Sequence, residues 1–182
     1  MALRRSNSYS KKHVVPYTRT SKRKQKAYVK VIPPSKIVKF TMGNLNAYKE
    51  GKFSKSLSLV MEEKVQIRQN ALEAVRQFIN KKLDSLMKDQ YLFKVIPYPH
   101  HIQRENKMLT GAGADRMQTG MQLSFGRPIA KAAILNKGNE VFSIHVSTDK
   151  NVSLARGLLK QIYAKIPGKK KIIYRERTEK KI

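Results

Sequence analysis

The sequence contains no cysteine, few acidic residues and no long apolar run, and each absence excludes a class of protein. A chain without cysteine has no disulfide framework, no cysteine-based zinc site and no thiol catalysis. No apolar stretch approaches the roughly 20 residues that a membrane-spanning helix requires, so we expect no membrane partner. The basic N-terminal segment also lacks the apolar core of a secretory signal.

An organellar presequence is an alternative, because such segments are also rich in Arg and Ser and poor in acidic residues. Pro16, Pro33 and Pro34 argue against the amphipathic helix that such a presequence forms. We therefore expect a cytoplasmic protein.

Basic residues outnumber acidic ones by 39 to 12, which gives a net charge of +27 on 182 residues. The excess lies at the two ends. The first acidic residue is Glu50, and 13 Lys and Arg precede it. After Ile166 the chain has seven basic residues and two acidic ones. Such a field attracts a polyanion, and RNA suits an extended basic chain with a glycine-containing loop better than a small substrate does.

The periodicity of apolar residues predicts an α+β fold, in which two helices cover a mixed or antiparallel sheet. A long glycine-containing loop and basic N- and C-terminal arms complete the predicted architecture. We divide the chain into a basic extended arm (1–35), a single α+β domain (36–174) and a short basic tail (175–182). The first helix is predicted over 65–86, and Asp149 is the predicted N-cap of the second. Strands are predicted at 37–40, 53–61, 91–96 and 172–174, with a hairpin of 129–135 and 141–146, while 121–125 fits either a strand or a short helix.

Residues 1–35 carry too much charge and too little apolar surface to fold alone. The arm is either a disordered solubilising tail or a segment that becomes ordered on RNA, and we favour the second interpretation. Tyr9, Tyr17 and Tyr28 would then pack on bases or riboses. The predicted rRNA-binding residues are the basic side chains Arg4, Arg5, Lys11, Lys12, Arg19, Lys22, Arg23, Lys24 and Lys26.

The segment from about His100 to Gly120 is predicted to be a loop, and its chemistry does not fit catalysis. Gly111 and Gly113 match only the first two glycines of a dinucleotide-binding motif, and the segment does not join a strand to a helix as that motif does. The sequence also contains no Walker motif. Adjacent residues of an extended chain point to opposite sides, so His100 and His101 do not form a metal pair. A stacking or phosphate contact with RNA, or plain exposure, fits them better. We expect no catalytic residue, no metal and no cofactor.

Several motifs of this sequence resemble those of one ribosomal family, L-ten-e of archaea and eukaryotes, the counterpart of bacterial L-sixteen. The resemblance extends from about Pro16 to Ile173. It rests on the motifs at 67–74 (IRQNALEA), 98–101 (YPHH), 105–116 (ENKMLTGAGADR), 120–121 (GM) and 125–128 (FGRP).

The resemblance implies an α+β sandwich that is a structural, non-enzymatic constituent of the large ribosomal subunit. It implies binding to large-subunit rRNA between the central protuberance and the tRNA sites, near 5S rRNA and neighbouring ribosomal proteins. Loop 103–115 would project toward the peptidyl-transferase region and the tRNA acceptor arms. The residues near tRNA would be Arg104, Asn106, Lys107, Met108, Gly111, Gly113 and Arg116.

The tail after Tyr174 is short, which favours an archaeal-type form. Two other classes of protein remain as alternatives. One is an RNA-processing or RNA-modifying enzyme, and the other is a general basic nucleic-acid packaging protein.

Overall fold

The computed structural model of the chain describes residues 31–105 and 127–176, except for the side chains of residues 104, 105 and 127. This part is an α+β fold whose strand pairs are all antiparallel, as predicted. The strands are β1 (Thr41–Gly43), β2 (Lys55–Met61), β3 (Val65–Arg68), β4 (Tyr91–Val95), β5 (His101–Glu105), β6 (Arg127–Leu135), β7 (Glu140–Val146) and β8 (Lys170–Glu176). The helices are α1 (Leu45–Lys49), α2 (Gln69–Leu86) and α3 (Asp149–Gln161), with a 3₁₀ turn at Tyr163–Lys165.

The strands form two sheets, where the sequence predicted one. The larger sheet has the order β1-β4-β7-β2-β8, and the smaller has the order β3-β6-β5. β2 and β7 lie in the interior of the larger sheet, and both are almost entirely buried. β8 lies at an edge and carries Lys170, Lys171 and Arg175, charges that discourage pairing with another chain.

The predicted hairpin of 129–135 and 141–146 is wrong, because β6 and β7 belong to different sheets. The turn between them is hydrogen-bonded to the end of β2. The N–H of Gly138 donates to the Met61 carbonyl (2.8 Å), and the N–H of Met61 donates to the Asn139 carbonyl (3.0 Å). The turn residues are typical of hairpins, but here they carry the chain from one sheet to the other.

Helix α2 begins four residues later than predicted. Val65 and Ile67 alternate with polar residues and pair with β6, so residues 65–68 extend as β3 before the helix starts. Ala74 and Leu86, which are apolar, are exposed on this helix. The buried positions of the helix are Gln69, Leu72, Val75, Ile79 and Leu83.

Three further local predictions are corrected. Residues 37–40 are not a strand, although the Phe40 carbonyl accepts a hydrogen bond from the N–H of Val95 (2.7 Å). Thr148, and not Asp149, is the N-cap of α3, since its hydroxyl accepts from the N–H of Asn151 (3.4 Å). The short helix α1, capped by Asn44, was not predicted.

The main core lies where α2 and α3 cover the sheets. α3 packs against β2 and β7, and α2 contacts β4 of the larger sheet, β3 and β6 of the smaller one, and α3. Helix α2 therefore joins the two sheets. A second, small cluster of Ala47, Phe53 and Leu92, with Tyr48 beside it, places α1 and the residues that follow it over β4.

Gly43 and Gly51 give a test of backbone packing, because both have positive φ (94° and 79°) but only one is crowded. A Cβ at Gly43 would lie 2.3 Å from the Tyr91 carbonyl oxygen, while at Gly51 it would meet nothing within 4 Å. Gly51→Ala should lower the free energy of unfolding by about 1 kcal/mol, through backbone strain alone. Gly43→Ala should cost about 3 kcal/mol or more. Urea denaturation measures both, and equal losses would contradict the clash.

Candidate nucleic-acid interface

Most of the predicted site residues lie outside the described residues. This holds for the nine basic residues of the arm, from Arg4 to Lys26, and for Asn106, Lys107, Met108, Gly111, Gly113 and Arg116 of the loop. Arg104 lies on β5, opposite Pro128 of β6, with its backbone alone described. The structure therefore brings none of these side chains together, and their roles remain predictions.

The structure does describe the base from which the predicted loop leaves. Residues 101–105 were predicted to belong to the loop but form strand β5. β5 pairs with β6 from His101, opposite Ala132, to Glu105, opposite Arg127, with an irregularity after Gln103. The two ends of segment 106–126 are therefore held side by side by β5 and β6, and β3 adds a third strand farther from them, at residues 132–135 of β6.

The two adjacent histidines at this base have opposite environments, as the sequence predicted. His101 is 1% exposed, and His100 is exposed. Burial lowers the pKa of His101, and the nearby His100 lowers it further. No group of three or more metal-ligating side chains occurs within residues 31–105 and 127–176.

Gln69 ties the junction between the arm and the domain to the start of α2. Its side chain is buried at the start of α2, where the oxygen accepts from the N–H of Lys36 (3.1 Å) and the nitrogen donates to the Pro34 carbonyl (3.4 Å). Both backbone groups belong to the segment that joins residues 1–30 to β1. The amide of Gln69 therefore fixes the position at which the chain enters the domain, about where the sequence ends the arm.

Basic side chains of the larger sheet are grouped by strand pairing. Leu92, His145, Ser56 and Arg175 form one row across four strands, and Lys94, Ser143, Ser58 and Ile173 form the next. Opposed residues of antiparallel strands point to the same face. We call these eight residues the outer sheet face.

Aromatic and acidic partners hold the basic groups of the outer sheet face in place. The Lys94 ammonium lies 4.0 Å from the ring centre of Tyr48, whose ring meets that of His145 edge-on at 4.8 Å. The Arg175 guanidinium bonds a carboxylate oxygen of Glu140 (2.6 Å). Sequence reasoning did not group these residues, because strand alternation shows each strand's faces but not which strands are neighbours.

The helices contribute exposed cations as well. Arg156 and Lys160 are one turn apart on the exposed side of α3. Lys81, Lys82 and Lys88 are exposed at and just after the end of α2, where positive charge also suits the helix dipole. These lysines and arginines give α2 and α3 exposed positive charge that a polyanion can neutralise.

Comparison with known proteins gives the family. A model of the family described as Ribosomal protein L16p/L10e matches residues 16–173. The chain belongs to this family. The predicted resemblance, which extended from about Pro16 to Ile173, is thereby confirmed.

Archaeal relatives named Large ribosomal subunit protein uL16 match almost the whole chain. The protein of Staphylothermus marinus is 41% identical over 176 residues, which cover 96% of this chain and 95% of the relative. That of Thermofilum pendens is 42% identical over 174 residues (95% and 97%). That of Methanococcus aeolicus is 39% identical over 174 residues (95% and 94%). The predicted archaeal-type form agrees with these matches.

Family membership confirms the coarser functional predictions. The chain is a structural ribosomal protein of the large subunit and not an enzyme, it acts in translation, and its place is the cytoplasmic ribosome. The described helices include none long and apolar enough to span a membrane.

Gln69 supplies a test of how the arm is anchored. Gln69→Ala removes both hydrogen bonds to residues 34–36, so it should lower the free energy of unfolding by about 1–3 kcal/mol. The Lys36 amide should also exchange with deuterium faster, because its acceptor is gone. Gln77→Ala is the matched control, since that amide donates to Glu73 on the surface and touches no part of the arm segment. Unchanged exchange at Lys36 in the Gln69 variant would contradict the anchor.

Burial of His101 makes a prediction about pH. Its pKa in the folded state is below the ordinary value, so the unfolded chain binds more protons as the pH falls below about 6.5. Its contribution to stability is thus present above that pH and is lost as the pH falls. His101→Gln should remove this part of the pH dependence, which urea denaturation at about pH 5 and about pH 7.5 measures. If the free energies of unfolding of the variant and the wild type differ by the same amount at both pH values, the prediction is contradicted.

Proposed function

We propose that this chain binds large-subunit rRNA near the central protuberance and the tRNA sites, with its basic arm on rRNA and loop 103–115 directed toward the peptidyl-transferase region. The named partners are large-subunit rRNA, nearby 5S rRNA, tRNA acceptor arms and neighbouring ribosomal proteins. Family membership supports the large subunit as the place where the chain acts. The pairing of β5 with β6 at the base of the loop supports a role for the loop that is separate from that of the arm.

The observation that carries the proposal is the paired base of the loop. Glu105 and Arg127 are register partners at the ends of β5 and β6, and β3 pairs with β6 farther from the loop, at Ala132 to Leu135. The two ends of the loop therefore start from a fixed position on the sheet. Such a base suits a loop that acts at a distance from the domain.

Charge supports rRNA as the main partner. Phosphate contacts by Lys and Arg release counterions, so log K falls with log salt at a slope of roughly −0.7 to −0.9 for each neutralised phosphate. The arm contributes nine of the predicted contacts, and the exposed cations of α2 and α3 add others within the described part of the chain. Contacts of this kind read the shape and charge of a large RNA more than its sequence.

Two variants with opposite expected effects test the proposal. Removal of residues 1–30 should weaken association with large subunits and reduce the slope of log K against log salt, because fewer phosphates are neutralised, while the domain still folds. The double change Gly111→Val and Gly113→Val should leave association largely intact and impair tRNA handling. Sucrose-gradient sedimentation in low and high salt measures association with the large subunit. Binding of tRNA to the isolated ribosomes measures the effect of the two valine substitutions in the loop.

Each variant is the control for the other. Normal tRNA handling by the double valine variant would count against the loop's role. Unaltered sedimentation of the shortened chain would count against the arm's role. A wild-type chain that migrates with duplex DNA, or that releases modified or cleaved RNA in isolation, would favour the packaging protein or the enzyme instead.

A further inference from the structure

An open groove of ≈ 550 Å³ lies between the segment that follows β4 and the turn after β6. Its lining includes Ile96, Tyr98 and His100 from the first segment and Ala133 to Leu135 of β6. The turn residues Gly138 and Asn139 line it as well. His100 alone of its lining belongs to the predicted loop of about 100–120, and neither the arm nor loop 103–115 contributes to it. The volume of the groove is within the range of roughly 300–1,000 Å³ that is typical of ligand sites.

One wall of the groove is a rigid, alternating segment. Val95, Pro97 and Pro99 are buried, while Ile96, Tyr98 and His100 between them are exposed. Proline fixes its own φ and restricts the residue before it to extended conformations. The two prolines therefore hold the three exposed side chains along one side of a chain that has little freedom to rearrange.

Tyr98 is the principal aromatic surface of this wall. Tyr98 is 56% exposed, yet its ring stacks on Phe40 with ring centres 5.6 Å apart and an angle of 29° between the planes. The Phe40 carbonyl accepts a hydrogen bond from the N–H of Val95, which fixes the backbone that carries the supporting ring. The next aromatic ring, His100, lies within hydrogen-bonding distance of the Tyr98 carbonyl through Nδ1 (3.3 Å). One exposed aromatic ring thus rests on a fixed support, with a second beside it.

The polar end of the groove is held in position by hydrogen bonds, and the negative charge of its Glu140 carboxylate is balanced by Arg175. The turn is bonded to Met61 through Gly138 and Asn139. The carboxylate of Glu140, which also lines the groove, bonds Arg175 through one oxygen and accepts from Ser58 through the other. Lys137, next to the lining residue Gly138, is exposed. A cation therefore borders the groove, and its one described carboxylate is already neutralised.

We propose that this groove holds an unpaired base of the large-subunit rRNA, stacked on Tyr98 and His100; this proposal depends on the proposed function. Unstacked bases of RNA loops pack on Tyr and His rings, and a neighbouring cation meets the phosphate. The Asn139 side-chain amide has both donors and an acceptor for a base edge, and no hydrogen bond described for the chain uses it. A chain with a net charge of +27 favours a nucleotide over a polypeptide as the occupant.

The test compares large subunits from cells that carry wild-type protein, Tyr98→Ala or Tyr98→Phe. Loss of the ring should raise the reactivity of one rRNA base, or of a short run, toward base-specific chemical probes by about threefold or more, because its stacking partner is gone. Tyr98→Phe keeps the ring and the stack on Phe40, so it should leave the reactivity unchanged. Leu86→Ala is the matched control, since Leu86 is 52% exposed but does not line the groove.

Ultraviolet crosslinking of wild-type subunits gives an independent readout. We expect the peptide that contains Tyr98 and His100 to crosslink to the same nucleotides that Tyr98→Ala exposes. Unchanged reactivity in Tyr98→Ala subunits of normal sedimentation would overturn the proposal, as would a crosslink from the groove to another protein. If Tyr98→Ala does not enter subunits, His100→Ala provides the same comparison without loss of the stack on Phe40. Absence of the wild-type chain from large subunits would refute the proposed function itself.

Discussion

Repulsion among basic side chains is the constraint on which the rest of this structure depends. The chain has 39 Lys and Arg to accommodate and 12 Asp and Glu to set against them. Its carboxylates are used to connect elements that are distant in sequence: Glu63 accepts from the N–H of Lys169, Glu140 bonds Arg175, and Asp149 bonds Lys55. Within α2, hydrogen bonds from Arg76 lower the pKa of Glu73 and keep it charged. Glu63, Glu140 and Asp149 thus act as cross-links, and many of the described cations face outward.

The outward cations connect stability with function. A high net charge opposes a compact fold through self-repulsion, and a bound polyanion removes that repulsion. The described part has a complete core, in which α2 joins the two sheets and α3 covers the larger one. A core of this kind can hold its shape while exposed positive charge is neutralised from outside.

The sequence predicted the elements whose side chains repeat with a single clear period. β4 and β7 have nearly the predicted limits, and α3 begins within one residue of the predicted start, because each pattern follows directly from burial on one side. The predictions were wrong where the secondary structure depends on contacts with residues distant in the sequence. Val65 and Ile67 fit a helix until β6 is known to lie beside them, and the turn at Asn136–Asn139 fits a hairpin until its bonds to Met61 are known. Which sheet a strand joins is a property of the whole chain.

The same limit applies to the candidate sites. Net charge and family motifs predicted a ribosomal protein, and the family match confirms it. The sequence alone does not show that Pro97 and Pro99 order Ile96, Tyr98 and His100, because this effect depends on which side of the segment is buried. The support that Phe40 gives to Tyr98 also joins residues 58 positions apart in the chain, which no local pattern reveals.

Phosphate contacts and a fixed groove make different contributions to RNA binding. Contacts between mobile cations and phosphates supply affinity, but they do so at many positions along an RNA and lose strength with salt. A ring held by Phe40 and two prolines loses little freedom when a base stacks on it, so the stacking free energy is not offset by ordering of the protein. It also accepts a base at one place only. Because the charge of this chain attracts any RNA, we expect rigid surfaces of this kind to select the position on the RNA at which the domain binds.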